Sequence, residues 1–388
     1  MSNPLLSSFT GPFNTAPFSE ISTAHFQPAF ITAIEEAKKE IEAIKLESLP
    51  TFENTVEALE KSGKHLGILS ALFFNLNSAE TNAELQVLAR EITPLLTAHA
   101  NDVLLDQELF QRIAQVYEQK ESQSLTAEQS TLLEKTYKSF VRNGAQLGAA
   151  DAETLRRIDQ ELAQLSLQFG EHVLAETNRF LHLVNQKSEL EGLPQGALEA
   201  AAQLAEEKGH AGNWAFSLDY PSYIPVMTYA KNRDLRKTLF MAFNTKCAKG
   251  DELDNQDIIK QLVTLRHRRA QLLGYESHAN FTLEERMAKS PETVFEFLNS
   301  LLEKAKPKAK LDVEEVAALA KKLDQLEALE KWDFAYYSEL LKKEKYAFDE
   351  EELRPYFSLE NVISGVFATA SRLFGLRFVP NSEIPVYH

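Results

Sequence analysis

The chain has 388 residues, 44% of them apolar and 25% charged, so a large core is available and long disorder is excluded. A formal charge of −16 disfavours non-specific binding to nucleic acid or to anionic lipid, since both need a basic surface. One cysteine, Cys247, excludes an intramolecular disulfide framework and any multi-cysteine zinc site. The N-terminus from Met1 to Leu6 has no basic region followed by an apolar run. No stretch approaches about 18 consecutive apolar residues. Neither a signal peptide nor a membrane span is expected, and the expected location is cytoplasmic.

Helical periodicity dominates. Phe30, Ala33, Ile34, Ala37, Ile41 and Ile44 mark an amphipathic helix ended by Pro50. Thr51 starts a short helix through Val56 and Leu59, with Gly63 as its stop. Ile68, Leu69, Leu72, Phe73 and Leu76 line the next helix. Asn82 caps another, which carries Leu85, Leu88 and Ile92 and should kink or restart at Pro94. Thr126 and Gln129 form a capping box for a helix ending near Gly144. Leu155, Ile158, Leu162, Leu165 and Phe169 share one face of a long helix from Asp151 to about Val173.

Phe180 to Val184 reads as a short strand, and Ala197 to Lys208 as a helix stopped by Gly209. From Trp214 to Tyr229 the alternation of Phe216, Leu218 and Tyr220, interrupted by Pro221 and Pro225, reads as strand, loop, strand. Helices then run with few breaks from Asn232 to Phe374. Ser290-Pro291-Glu292 opens one of them, and Ser358 and Gly375 bound the last. Leu376 to Val379 and Ile384 to Tyr387 read as two further strands, whose unpaired edges would favour self-association or fraying.

Chemical motifs are sparse. There is no GxxxxGK[ST], no GxGxxG after a strand and no GxSxG. Cys247, placed on a helix after Phe243, reads as an ordinary buried thiol. The histidines are His25, His65, His99, His172, His182, His210, His267, His278 and His388. No two lie four apart and none is followed by Glu, so HExxH is missing. Arg266-His267-Arg268-Arg269 reads as a solvated or salt-bridged helix face, with an anion or peptide-carboxylate contact as the sharper alternative. Lys304, Lys306, Lys308 and Lys310 read as solvated surface. Trp332-Asp333-Phe334-Ala335-Tyr336-Tyr337 starts a helix with Asp333 as N-cap. Its aromatics read as core, with a substrate-groove wall as the alternative.

Several of these segments resemble the thimet-oligopeptidase-type zinc metallopeptidases. They are Leu262 to Arg266, Ala270 to Tyr275, Arg286 to Pro291, Trp332-Asp333 with Tyr336-Tyr337, and Leu353-Arg354-Pro355-Tyr356-Phe357 with Leu373-Phe374-Gly375. Asn3-Pro4, Phe26-Gln27-Pro28-Ala29-Phe30 and Phe52-Glu53-Asn54-Thr55 extend the likeness to the N-terminus. With Ile384 to His388, that start is most similar to the bacterial peptidyl-dipeptidase (dipeptidyl carboxypeptidase) branch.

The resemblance implies a mainly α, multi-helical body of the thimet-oligopeptidase/neurolysin type with a few short strands. It implies two helical halves flanking a deep channel for short peptides. The expected organisation is an N-terminal helical region over 1–225 and the start of the catalytic region over 226–388. Family members are longer, and their HExxH helix and third zinc ligand lie C-terminal to the matched stretch. Zinc is therefore the implied cofactor with ligands beyond His388, and no catalytic, cofactor-binding or metal residue is carried over to any position here. His388 itself is not expected to be a ligand. Where the site is complete, the metal would polarise the scissile carbonyl and lower the pKa of a bound water, with the HExxH glutamate as general base. The implied activity is release of C-terminal dipeptides from short oligopeptides, with these residues inactive alone and the missing catalytic half as partner. The alternatives are an endo-acting oligopeptidase of the same family, a non-catalytic peptide-binding helical protein, or an enzyme with an unrelated site.

Overall fold

The computed structural model describes residues 3–348 and 352–388; Met1 and Ser2, where the N-terminal reading begins, lie outside them. Helix α1 (Phe26–Leu46) buries the periodic face from Phe30 to Ile44, extended back to Phe26 and Ala29. Its C-terminal end is closed by Arg112, whose Nη1 donates to the Glu47 carbonyl at 2.6 Å. A π-helical turn over Phe52–Glu57 follows, opened by a reciprocal capping box between Thr51 and Asn54. Helix α2 (Ala58–Lys61) leads to Gly63 at φ +64°, the left-handed position that glycine takes at least cost.

Helices α3 (Lys64–Ala79), α4 (Ala83–Leu104), α5 (Gln107–Glu118) and α6 (Ala127–Arg142) come next. Asn82 and Asp106 cap α4 and α5, and the Thr126–Gln129 box caps α6. Pro94 does not restart the chain. Helix α4 runs through it while burying Leu85, Leu88 and Ile92, so packing outweighs the lost backbone donor. Helix α7 (Ala149–Arg179) continues past the expected end near Val173.

Strand β1 (His182–Val184) pairs antiparallel with β2 (Trp214–Phe216), His182 opposite Phe216 and Val184 opposite Trp214. Helix α8 (Gln195–Glu207) lies between them in sequence, and Gly209 follows at φ +81°. The expected second strand before Tyr229 is a helix, α9 (Tyr220–Tyr229). Pro221 falls in its first turn, where a missing N–H costs nothing. Burial of Tyr223, Val226 and Met227 carries the helix past Pro225.

Helices α10 (Arg233–Asn244), α11 (Gln256–Leu272), α12 (His278–Leu283), α13 (Pro291–Asp324), α14 (Phe334–Tyr346) and α15 (Leu359–Phe374) complete the order. Ser290 and Ser358 cap α13 and α15, and Gly375 ends α15 at φ +67°. The two terminal strands do not form. Leu376–Val379 and Ile384–Tyr387 are irregular, because a strand needs a hydrogen-bonded neighbour and none is placed beside them among the described residues. Asn381 Oδ1 accepts from the Glu383 and Ile384 N–H groups instead, and Tyr387 packs edge-on to Phe18 at 5.5 Å.

The chain packs as two compact units. The first comprises residues 1–168, 258–287 and 380–388. Its main core joins α1, α3 and α4 around Phe26, Phe30 and Phe73, with ring centroids 5.2 and 5.7 Å from Phe73 in edge-to-face geometry. The second comprises residues 169–257 and 288–379, with a core built on Val184, Phe216, Tyr223, Val226, Leu235 and Leu239. No helix among the described residues is long and apolar enough to cross a membrane.

Candidate functional site

The Trp332–Tyr337 element of the second unit is organised around a buried carboxylate. Asp333 is fully buried and takes a two-pronged contact from Arg233, Nε to Oδ1 at 2.9 Å and Nη2 to Oδ2 at 2.7 Å. Arg236, itself 1% exposed, donates to Oδ1 at 3.0 Å and to the carbonyls of Ala230, Lys231 and Trp332. Burial by itself would raise the Asp333 carboxyl. The hydrogen bonds from Arg233, the Glu330 N–H and Arg236 outweigh it and hold the group below the usual carboxylate range.

Asp333 holds the N-cap position of α14, as expected, but its side chain makes no cap bond, because this carboxylate is committed to the arginines. The Arg236 guanidinium sits 4.3 Å from the centre of the Tyr336 ring, Trp332 packs on Phe240, and Tyr337 donates to Asp324 at 2.7 Å. Burial, reinforced by that carboxylate, pushes the Tyr337 hydroxyl up. Tyr337 is buried, Trp332 and Tyr336 are half-buried against the core and Phe334 is exposed, and the element ties the start of α14 to α10.

On α11, Ile258, Leu262, Leu265 and Ala270 are buried, and Leu272 is half-buried. Arg269 is salt-bridged, Nε to Asp159 at 2.6 Å and Nη2 to Asn143 at 3.0 Å. Arg266, His267 and Arg268 are exposed. Arg268 lines a cleft of about 600 Å³ with Leu265 and Leu272 of α11 and Arg157, Ile158 and Glu161 of α7. The basic run of α11 singles out Arg268 in the sequence, whereas Arg157, which adjoins Arg156 on α7, falls in no motif. Close by, Arg142 holds Glu284 at 2.7 Å, and Lys135 and Lys138 both donate to Glu285. Hydrogen bonds from those two lysines pull the Glu285 carboxyl down to about 2.

Cys247 lies beyond the end of α10, in a turn at φ +53°, not on the helix expected for it. It is 4% exposed, and burial, then the charges of Glu176 and Asp251, push its thiol up. A raised thiol is a poor nucleophile. The histidines are dispersed: His65 contacts Glu36 and the Leu5 carbonyl, His172 contacts Asn255, and His388 pairs with Glu80 at 2.5 Å. Burial lowers His99, His182 and His278. Among the described residues no group of three or more His, Cys, Asp or Glu is arranged to hold a metal ion. The described residues thus offer no ligand set that fits a zinc ion.

The lysines of α13 are surface, with Lys308 on Asp312 at 2.8 Å and Lys310 on Glu314 at 3.8 Å. Two helices of the second unit present apolar side chains to solvent. On α13 these are Phe295, Phe297, Leu298, Leu301 and Leu302. Helix α15 buries no residue, and Leu359, Val362, Val366, Phe367, Leu373 and Phe374 are exposed on it.

Residues 226–388 match the family profile described as Peptidase family M3. The whole chain aligns with the dipeptidyl carboxypeptidase of Escherichia coli (strain K12), 36% identical over 388 residues, which is 100% of this chain and 57% of that protein. It is 34% identical over 396 residues to a probable cytosolic oligopeptidase A of Arabidopsis thaliana, with 100% of this chain and 56% of that one covered. Against oligopeptidase A of Escherichia coli (strain K12) the figure is 31% over 393 residues, again with 100% and 57% covered. The chain thus spans little more than half the length of these curated relatives.

Proposed function

We infer, from residues 226–388 as peptidase family M3 sequence and from collinear similarity along the whole chain, that these residues are the N-terminal portion of a metallopeptidase that releases C-terminal dipeptides from short oligopeptides. The observation that carries this reading is the 36% identity to a dipeptidyl carboxypeptidase across all 388 residues. Endo-acting cleavage is the second reading, favoured by the 34% identity to an oligopeptidase A.

Zinc is the proposed cofactor, with its ligands outside these 388 residues, and no catalytic or metal-binding role is given to any residue within them. By themselves residues 1–388 are proposed to be inactive. The proposed division is a helical region over 1–225 and the opening of the catalytic region over 226–388; the family match beginning at residue 226 supports it. The proposed partner is the remaining catalytic half, and the apolar faces left open on α13 and α15 support that assignment. A cytoplasmic location is proposed, supported by the relative described as cytosolic.

The test is mass spectrometry of the products that the protein from the complete reading frame makes from an acetylated tetrapeptide, with a free and with an amidated C-terminus. The first reading expects a dipeptide from the free acid and little cleavage of the amide. Equal cleavage of both establishes the endo-acting reading, and cleavage of neither refutes both.

A further inference from the structure

We propose that the cleft between α7 and α11 binds the C-terminal carboxylate of a short peptide, held by Arg157 and Arg268. The cleft, of about 600 Å³, is built entirely within the first unit. Its floor is apolar, with Ile158 and Leu265 buried beneath it. Thr154 and Gln271 supply neutral polar groups at its edge.

Four other guanidinium groups of the unit are engaged: Arg112 on the carbonyl of Glu47, Arg142 on Glu284, Arg156 on Asp102 and Arg269 on Asp159. Among the described residues neither Arg157 nor Arg268 makes an ion pair, although the chain carries a charge of −16. Asp159, the carboxylate of α7 that falls between Arg157 and Glu161 in sequence, is already held by Arg269 at 2.6 Å. Two arginines against the single acid Glu161 leave the cleft with one net positive charge, which suits a monoanion.

Guanidinium groups match carboxylates in both charge and planar geometry. The apolar floor suits an aliphatic terminal side chain, and Glu161 can accept from a peptide N–H. That the monoanion belongs to a peptide rests on the peptidase reading; that the cleft takes a carboxylate does not.

The test is calorimetric titration of the 388-residue chain with N-acetyl-alanyl-leucine, with its C-terminal amide, and with acetate, at low salt. The acid is expected to bind at least about 10-fold more tightly than the amide and than acetate. The double variant R157Q/R268Q is expected to lose that preference, and added salt to weaken it. Both arginines are exposed, so the variants should keep the parent circular dichroism and melting temperature. R157Q and R268Q singly provide a check should the double variant not fold, each losing part of the preference. Equal binding of acid and amide, unchanged acid binding in the variants, or acetate binding as tightly as the peptide each overturns the proposal. The titration involves no cleavage, so a complete protein that fails to hydrolyse peptides refutes the peptidase reading without altering this result.

Discussion

Replacing Asp333 by alanine removes the one carboxylate that faces Arg236 in the core of the second unit. The side chain of Arg236 is 1% exposed, and that of Arg233 is 43% exposed. Arg233 can turn to water when its partner goes. Arg236 cannot, and although it keeps the carbonyls of Ala230, Lys231 and Trp332, its charge is left buried without a counter-ion. Breaking a buried pair in this way costs about 3–5 kcal/mol. Arg233→Ala, which removes a half-exposed partner, should cost only about 0.5–1 kcal/mol. Asp333→Ala combined with Arg236→Met should recover much of the loss, because the stranded charge goes with it.

Urea unfolding at pH 7 followed by tryptophan fluorescence reads this directly. Both tryptophans, Trp214 and Trp332, lie in the second unit. The Asp333 carboxyl is held low, so its contribution is fully present above the ordinary carboxylate range. It is lost as pH falls through the lowered native value. An Asp333→Ala loss below about 1 kcal/mol, or one no larger than that of Arg233→Ala, would refute the reasoning.

Gly192 sits at φ +94°, and a Cβ there would stand 2.3 Å from the Tyr229 carbonyl oxygen. Gly192→Ala is expected to destabilise the second unit by about 2 kcal/mol or more in the same urea assay, and a neutral outcome would contradict the close approach. Carboxyl titration by NMR should place Glu285 at about 2. Since that value is depressed, its contribution to stability is present above the unfolded value of about 4.3 and disappears as pH falls towards 2. An ordinary midpoint for Glu285 would rule out the paired lysines as its cause. Cys247 should be inert to an aromatic disulfide reagent in the native chain and react once the chain is unfolded, whereas rapid native reaction would contradict its burial.

Helix ends were the most legible part of this sequence. A cap acts over three residues, so Asn82, Thr126 with Gln129, Ser290 and Ser358 could be read locally, as could the glycine stops at Gly63, Gly209 and Gly375. Features set by distant partners were not. Helix α9 was hidden because Pro221 and Pro225 read as breakers, while the burial of Tyr223, Val226 and Met227 that holds it together has no local signature. The terminal strands are missing for the converse reason: the apolar alternation is there, and among the described residues a pairing strand is not. The cap position of Asp333 is legible, but its arginine partners are not, since nothing local announces Arg233, which lies 100 residues earlier in the chain. A similar separation in sequence hides Arg157 from Arg268. No catalytic motif occurs within these residues, so the proposed chemistry rests on resemblance alone.

The measurement that bears most directly on the account is chelator-sensitive hydrolysis of an acetylated tetrapeptide, run in parallel on residues 1–388 and on the protein from the complete reading frame. The account predicts dipeptide release by the complete protein, abolished by a zinc chelator, and none by residues 1–388. Cleavage by residues 1–388 alone, or release by the complete protein that a chelator leaves untouched, would contradict it.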